Sequence, residues 1–414
     1  MLISREEIVP LLATYGIKAH SVLHIGAHDC EELGFYNSLQ IPSENVYWVD
    51  AIQEKVDAAK SRGVPNVFYG VMSDADGETV TFKRTNNDQS SSILELGTHA
   101  AHYPWITVSE TRSCTTTTVD TFLQGKPKPN FWNLDIQGAE LKALQGGVVA
   151  LRAADVVYTE VNTESVYKGC ALLGELDEFL AAQGFTRVAL KVVEQGWGDA
   201  MYVRTAPPPS LIFDIGANVG NYALVQQGIV VSVEASPQTF SQLEGKTGAK
   251  KTIKRIQAAI CNSESPTVEF YYCESAHMLS SLDKNWLTSP ESRFGHYGPT
   301  VRPIQVNAMK LDTLITMFGM PDRVKVDVEG AEDVVISSLS QKVPVLCFEW
   351  AAEWYAVSLR VIDHLVGLGF TEFHVQDCDE YTYVPPCYEY TADQVKCVLA
   401  GKVAKQDWGM VWAR

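Results

Sequence analysis

Seven acidic residues, Asp50, Asp135, Glu160, Asp214, Glu234, Asp327 and Glu349, each close a short apolar run of the kind that fills a buried strand. Ligands of open α/β sheets sit outside the carboxyl ends of the strands, so carboxylates placed there converge on one mouth. Asp50 and Glu234 close a second strand and suit the two hydroxyls of a ribose. A carboxylate accepts from both, and each charged hydrogen bond contributes about 1.5–3 kcal/mol. Asp135 and Asp327 each open an Asp-x-x-Gly-Ala-Glu element whose last residue, Glu140 or Glu332, begins a helix. Such carboxylates could help to hold a cationic group, or take the proton from an acceptor hydroxyl. Alcohols are weak nucleophiles, so their alkylation wants a positioned base in line with the entering group. Capping of a helix N-terminus is the structural alternative for Glu140 and Glu332. An acidic cluster also suits a divalent cation, but no residue is assigned to a metal. The nine cysteines are scattered without a Cys-x-x-Cys pair, which argues against a structural zinc and a disulfide framework.

The turn that faces these acids is clearest in Leu211–Val225, LIFDIGANVGNYALV, which reads as strand, small-residue turn and helix. Gly216, Ala217, Asn218 and Gly220 let the backbone approach a ligand at a helix N-terminus. The spacing Gly216-x-x-x-Gly220 is not the Gly-x-Gly-x-x-Gly of dinucleotide enzymes, and no Tyr-x-x-x-Lys pair occurs in the chain. An earlier stretch repeats the pattern, with His24 in the place of Asp214, Gly26 and Ala27 for Gly216 and Ala217, His28 for Asn218, and Cys30 for Gly220. Ser73-Asp74 and Cys261-Asn262 follow a third strand and could reach a base edge or form a plain turn. Ser90–Ser92, His99, Tyr103 and Trp105, matched later by His277, Ser280-Ser281, Trp286, Phe294 and Tyr297, lie in loops whose hydroxyls and aromatic faces suit a carbohydrate.

These landmarks recur at nearly constant separation: 190 residues from Gly26 to Gly216, 192 from Asp135 to Asp327 and 189 from Glu160 to Glu349. The chain is therefore two copies of one domain. In each, apolar strands alternate with helical stretches, for example Glu54–Arg62, Leu141–Leu151 and Leu176–Gln183. This predicts an α/β fold with a doubly wound, mostly parallel sheet. Ser4 with Glu7 forms a capping box for an opening helix. Thr205-Ala206-Pro207-Pro208-Pro209-Ser210 reads as a stiff connector, which places the domains at 1–205 and 206–414. The second copy carries an extra segment, from about Cys378 to Ala404, expected to be a hairpin insertion or lid.

The 414 residues carry a formal charge of −17, which disfavours nucleic acid and anionic lipid as partners. No apolar run reaches membrane-spanning length, and the acidic N-terminal stretch does not read as a signal peptide. A reduced, cytoplasmic enzyme without membrane insertion is expected.

Taken together, the residues resemble the FkbM-type methyltransferases. The second copy shows the likeness in Asp214-Ile215-Gly216-Ala217-Asn218-Val219-Gly220, Glu234-Ala235, Leu279-Ser280-Ser281-Leu282 and Lys325 through Glu332; the first shows the variant His24–His28, Trp48–Ala51 and Asp135–Glu140. The resemblance implies two Rossmann-like class I methyltransferase domains, each closing with a C-terminal antiparallel hairpin. It also implies S-adenosylmethionine as donor and O-methylation, of sugars in glycans or of polyketide hydroxyls. On that basis Asp135, Glu140, Glu160, Asp327, Glu332 and Glu349 are the catalytic candidates. Gly26, Ala27, His28, Asp50, Ser73, Asp74, Asp214, Gly216, Asn218, Gly220, Glu234 and Asn262 are the donor-binding candidates. The first copy departs from the pattern at His24, Cys30 and Gln137, and loss of the later glycine is expected to leave less room for the donor there. Both copies are expected to act on hydroxyls of a glycan acceptor. The alternatives are one active copy beside a non-catalytic glycan-binding or structural one, or a nucleotide-sugar oxidoreductase or epimerase.

Overall fold

The computed structural model describes residues 1–403 and 407–414. The chain divides into two compact units, Met1–Pro209 and Ser210–Arg414. The division falls after the proline run rather than at 205/206, because the connector is tied to the first unit. The Thr205 and Ala206 N–H groups donate to the Gly184 carbonyl at 3.0 and 3.1 Å, and Arg152 Nε donates to the Pro209 carbonyl at 2.9 Å.

The main sheet of the first unit has seven strands: Val22–Ile25, Val46–Asp50, Val67–Tyr69, Phe131–Leu134, Val156–Asn162, Phe185–Val192 and Trp197–Arg204. Numbered in chain order, they lie as third, second, first, fourth, fifth, seventh, sixth. The first five are parallel, and the seventh runs antiparallel between the fifth and sixth. The second unit repeats this order with Leu211–Ile215, Ile229–Glu234, Ile253–Gln257, Arg323–Val326, Leu346–Ala351, Phe373–Asp377 and Trp408–Ala413. The expected parallel sheet with an antiparallel hairpin at its end is thus present twice. Its strands are apolar on both faces because neighbouring residues feed different cores. Leu23, Ile25, Trp132 and Leu134 pack on one side, and Val22, Val46, Trp48 and Phe131 on the other.

The helices expected after the second, fourth and fifth strands form as Gln53–Ser61, Glu140–Gly146 and Leu173–Ala182. The Ser4 N–H donates to Glu7 Oε2 at 2.9 Å ahead of helix Arg5–Thr14. Each unit also has a small three-stranded sheet that the sequence did not announce: Val71–Met72, Thr79–Thr85 and Val108–Thr117, then Ala259–Ile260, Thr267–Cys273 and Val301–Met309. Its last two strands are joined by the Ser- and aromatic-rich loop of each copy.

The extra segment of the second copy contains a helix, Ala392–Val403, rather than a hairpin. Thr391 and Gln394 cap its start: the Thr391 N–H donates to Gln394 Oε1 at 2.8 Å and the Gln394 N–H to Thr391 Oγ1 at 3.4 Å. Ala404, its expected end, lies outside the described residues.

Candidate functional site

The first strand of each copy ends in a glycine whose lack of a side chain is required. Gly26 has φ +89° and Gly216 φ +82°, and a Cβ on either would lie 1.8 Å from the carbonyl oxygen of Asp135 or Asp327. The opening turn therefore presses against the end of the fourth strand, where the catalytic candidates begin. His28 and Asn218 follow with φ of 42° and 50°, a left-handed conformation that costs a non-glycine residue about 1 kcal/mol or more.

The second-strand acid organises this turn. In the first copy the His28 and Ile52 N–H groups donate to the two oxygens of Asp50, each at 2.7 Å. In the second, the Asn218 and Ser236 N–H groups donate to Glu234 at 3.0 and 2.8 Å. Burial raises the pKa of Asp50, and it pushes Glu234 up to about 7, against the opposing pull of those N–H groups. Each oxygen keeps acceptor capacity for a further hydroxyl.

The later glycine serves a different purpose from the one expected. A Cβ on Gly220 would strike Leu243 and Thr247, each at 2.7 Å, not a ligand space. Cys30 takes the same left-handed backbone, φ 58°, and is buried in the core. Its presence therefore leaves the space at the mouth of the first copy untouched.

That space is a cavity of about 550 Å³ lined by Gly26, His28, Asp50, Asp135, Gln137 and Glu160, with Ser90–Ser92, His99, Tyr103 and Trp197 on the loop side. Gln137, itself left-handed at φ 57°, donates from Nε2 to Asp135 at 2.6 Å and to Glu160 at 2.5 Å, and accepts from the Tyr167 hydroxyl at 2.5 Å. Burial, followed by the charges of Asp135 and Glu140, holds the Glu160 carboxyl well above the usual range. His24 lies beneath, with Nδ1 3.0 Å from the Tyr36 hydroxyl and its ring stacked on Trp48.

The corresponding cavity of the second copy is about 100 Å³, lined by Asp214, Gly216, Asn218, Glu234, Lys325, Asp327, Glu329 and Tyr381, among others. Glu349 stands beside it, one carboxylate oxygen within 4.8 Å of those of Asp327 and Glu329. Burial and then the Asp327 charge push Glu329 and Glu349 well above the carboxylate range. Lys325 Nζ lies 2.6 Å from Asp327 and 3.3 Å from Asp379 of the extra segment. Burial works against the ammonium, but Asp327, Asp214 and Asp379 outweigh it and keep Lys325 charged. Asp214 is fully buried, neither of its oxygens has a hydrogen-bond partner, and burial pushes its pKa up to about 7.

Several candidates stand apart from the cavities. Glu140 and Glu332 turn back on their own loops: Glu140 Oε1 accepts from Ile136 N–H at 2.8 Å, and Glu332 Oε1 from Val328 and Gly330 N–H at 3.2 and 3.3 Å. Both carboxylates thus brace the loop that leads into their helix, and neither caps the helix itself. Ala27 is buried within the core beneath the turn. Ser73 bonds to Asp74 at 3.1 Å, and Asp74 faces Lys142 at 3.4 Å. Asn262 lines a separate shallow groove with Ser263 and Arg360. Trp286, Phe294 and Tyr297 pack together in an apolar cluster, and Trp105 is 67 % exposed. Conversely, Gln137, Lys325, Asp379 and Tyr381 belong to the sites although no role was assigned to them from sequence.

A strand order of three, two, one, four, five, seven, six, with a glycine turn and strand-end acids around one mouth, defines a Rossmann-like class I methyltransferase sheet, built twice. The model of the FkbM methyltransferase domain matches residues 24–187 and again 214–370. The chain belongs to the FkbM methyltransferase family and carries its domain in two copies. No curated protein matches it. Among solved structures it is similar to a precorrin-6y C5,15-methyltransferase from Geobacter metallireducens, at 11 % identity over 50 % of this chain and 79 % of that one, TM-score 0.24. It is also similar to the magnesium protoporphyrin IX methyltransferase of Synechocystis PCC 6803, solved with bound SAM, at 12 % identity over 49 % and 78 %, TM-score 0.27. A third is Aeropyrum pernix fibrillarin in complex with S-adenosyl-L-methionine, at 12 % identity over 55 % and 82 %, TM-score 0.26. Among the described residues, no helix is long and apolar enough to cross a membrane.

Proposed function

We propose that the protein is an S-adenosylmethionine-dependent O-methyltransferase acting on carbohydrate hydroxyls, with a donor site in each copy. The observation that carries this reading is the repeated cradle: a glycine that no Cβ could replace, a second-strand acid held by two backbone N–H groups, and strand-end carboxylates around the same cavity. S-adenosylmethionine supplies an electrophilic methyl group on a sulfonium. Asp50 and Glu234 receive the ribose hydroxyls. In the second copy the unpartnered Asp214 and the cationic Lys325 match the ammonium and carboxylate of an amino-acid moiety.

Glu160 beside Asp135, and Glu349 beside Asp327, hold their protons tightly. A cationic neighbour favours their charged form, and a carboxylate so restored accepts the proton of the acceptor hydroxyl. Ser90–Ser92, Tyr103 and Trp197 give the first cavity hydroxyls and aromatic faces suited to a sugar.

One observation favours a second reading, in which the first copy alone turns over in the resting state. Its 550 Å³ lies within the roughly 300–1,000 Å³ of cofactor pockets, whereas the second copy's 100 Å³ falls below that range. Calorimetry of S-adenosylmethionine on the full chain separates the two: two equivalents support paired sites and one supports the second reading. Incubation with candidate oligosaccharides should release S-adenosylhomocysteine, and Asp135→Ala and Asp327→Ala should each remove a different methyl mark. Unchanged product from both variants would reject these carboxylates as catalytic.

A further inference from the structure

The second copy holds a group of metal-ligating side chains away from its cavity. His374 lies on the sixth strand, Phe373–Asp377, and Cys387 and Glu389 lie in the extra segment just before helix Ala392–Val403. The Nδ1 or Nε2 of the imidazole, the Cys387 sulfur and a Glu389 oxygen all fall within 4.8 Å of one another. His374 Nδ1 is 2.8 Å from Glu389 Oε2, and Cys387 Sγ is 3.3 Å from the same oxygen.

The backbone holds this arrangement. Phe373 and Tyr390, next to two of the three residues, exchange both of their backbone hydrogen bonds, at 2.8 and 3.0 Å. That bridge sets His374 and Glu389 side by side whatever their side chains do. The imidazole is also oriented from behind: Nε2 lies 2.6 Å from the Tyr383 hydroxyl, and the two rings stack at 5.7 Å and 17°. Metal-binding imidazoles are held in this way, with one nitrogen toward the ion and the other on a polar partner that fixes the tautomer.

We infer that His374, Cys387 and Glu389 form a site for a divalent transition-metal ion of the zinc type. A nitrogen, a sulfur and one carboxylate oxygen make a borderline-soft donor set, which disfavours calcium and magnesium. In a tetrahedral zinc site such donors stand about 3.2–3.8 Å apart, so only small side-chain rotations are needed. His374 is buried while Cys387 and Glu389 are exposed, so the fourth position opens to water. On binding, the Cys387 thiol would give its proton to solvent, and the imidazole proton would pass from Nδ1 to Nε2 by exchange with solvent, leaving Nδ1 for the metal and Nε2–H to donate to the Tyr383 hydroxyl.

The ligands bracket residues 378–386, which carry Asp379 and Tyr381 to the second cavity. The ion would therefore fasten that segment at its far end. The first copy has no counterpart, because residues 193–196 alone join its sixth and seventh strands.

The test is Co²⁺ titration of the metal-free full chain, followed in the near ultraviolet. The expected result is a saturable thiolate-to-cobalt charge-transfer band that Zn²⁺ displaces. Cys387→Ser, at an exposed position, should abolish it, and Glu389→Gln should weaken Co²⁺ binding about tenfold or more. Zn²⁺ should also slow hydrogen exchange across residues 378–391 in the parent chain and not in Cys387→Ser. Absence of the band at saturating Co²⁺, or a band that survives Cys387→Ser, would overturn the site. Neither result depends on the methyl-transfer reading.

Discussion

Where the first strand meets the fourth, the first copy pairs His24 with Asn133 and the second pairs Asp214 with Lys325. These are direct cross-strand partners at the point where the strand order reverses. Burial lowers the His24 pKa and keeps the ring neutral, and Asn133 donates to the same Tyr36 hydroxyl that meets His24, at 2.8 Å. In the second copy both positions are ionisable and nearly or wholly buried: Lys325 is charged, and burial pushes the Asp214 pKa up to about 7. One sheet thus tolerates either a neutral pair or two ionisable groups at its centre; Lys325 keeps Asp327 and Asp379 as partners, while its charge is what most favours an ionised Asp214 against burial. The same contrast runs outward. Gln137 bridges Asp135 and Glu160 in the first copy, whereas Glu329 adds a third carboxylate in the second.

Lys325→Asn breaks the comparison most severely. It strands Asp214, Asp327 and Asp379, and the second unit should lose about 3–5 kcal/mol, read as a lowered denaturation midpoint for that unit alone. Adding Asp214→His, which recreates the pair of the first copy, should recover part of that loss. A double variant as unstable as the sum of the singles would show that the two positions are not coupled.

The next effect is expected in the first copy. Gln137→Glu replaces an amide that donates to two carboxylates with a group that can only repel them when ionised. The first unit should lose about 1–3 kcal/mol at pH 8, and clearly less at pH 5, where the new group is protonated. Equal loss at both pH values would mean that charge is not the cause.

How much of this could be read from the residues follows from which contacts are local. Buried parallel strands leave continuous apolar runs, and the acids that end them, Asp50, Asp135, Glu234 and Asp327, mark the mouth. The sheet and its repetition were therefore legible. Glu140 and Glu332 stand at a helix start, a position equally suited to capping and to catalysis, and only the fold shows that their side chains turn back to brace the preceding loop instead. Gly220 was read as room for a ligand, but the room is for Leu243 and Thr247, far along the chain. Lys325 sits inside an apolar run and its partner Asp379 lies in a segment absent from the first copy, so no local pattern joins them. The joint change from Asp214 and Lys325 to His24 and Asn133 was nevertheless visible once the halves were aligned.

The pH dependence of donor binding sharpens the contrast in charge. Asp214 and Glu234 have folded-state pKa values raised to about 7, above those of the unfolded chain. Their contribution to stability is therefore greatest below about pH 4 and is lost as pH rises toward 7. A cationic ligand prefers the ionised forms, so affinity at the second copy should rise about tenfold from pH 6 to pH 8 and then level off. The first copy has only Asp50 in this role beside neutral His24, and its slope should be shallower. Calorimetry with each site disabled in turn by Gly26→Ala or Gly216→Ala would measure both slopes. Asp214→Asn should flatten the steeper one, and a steep slope in that variant would remove Asp214 from the donor site.

The smallest effect concerns the extra segment. Asp379 lies 3.3 Å from Lys325 Nζ, and Tyr381 lines the same cavity, packing edge-on to Tyr222 at 6.1 Å. The Lys325 ammonium already has Asp327 at 2.6 Å, so removing the more distant partner leaves it paired. Asp379→Asn should therefore change the stability of the second unit by less than about 1 kcal/mol. It should also free Lys325 to meet an anionic group of an incoming ligand. If this carboxylate holds the segment over the cavity, donor affinity at the second copy should tighten a fewfold while the first copy stays unchanged. Weaker binding in Asp379→Asn would instead make Asp379 part of the ligand's own contacts, and the small volume of the second cavity would then need another cause.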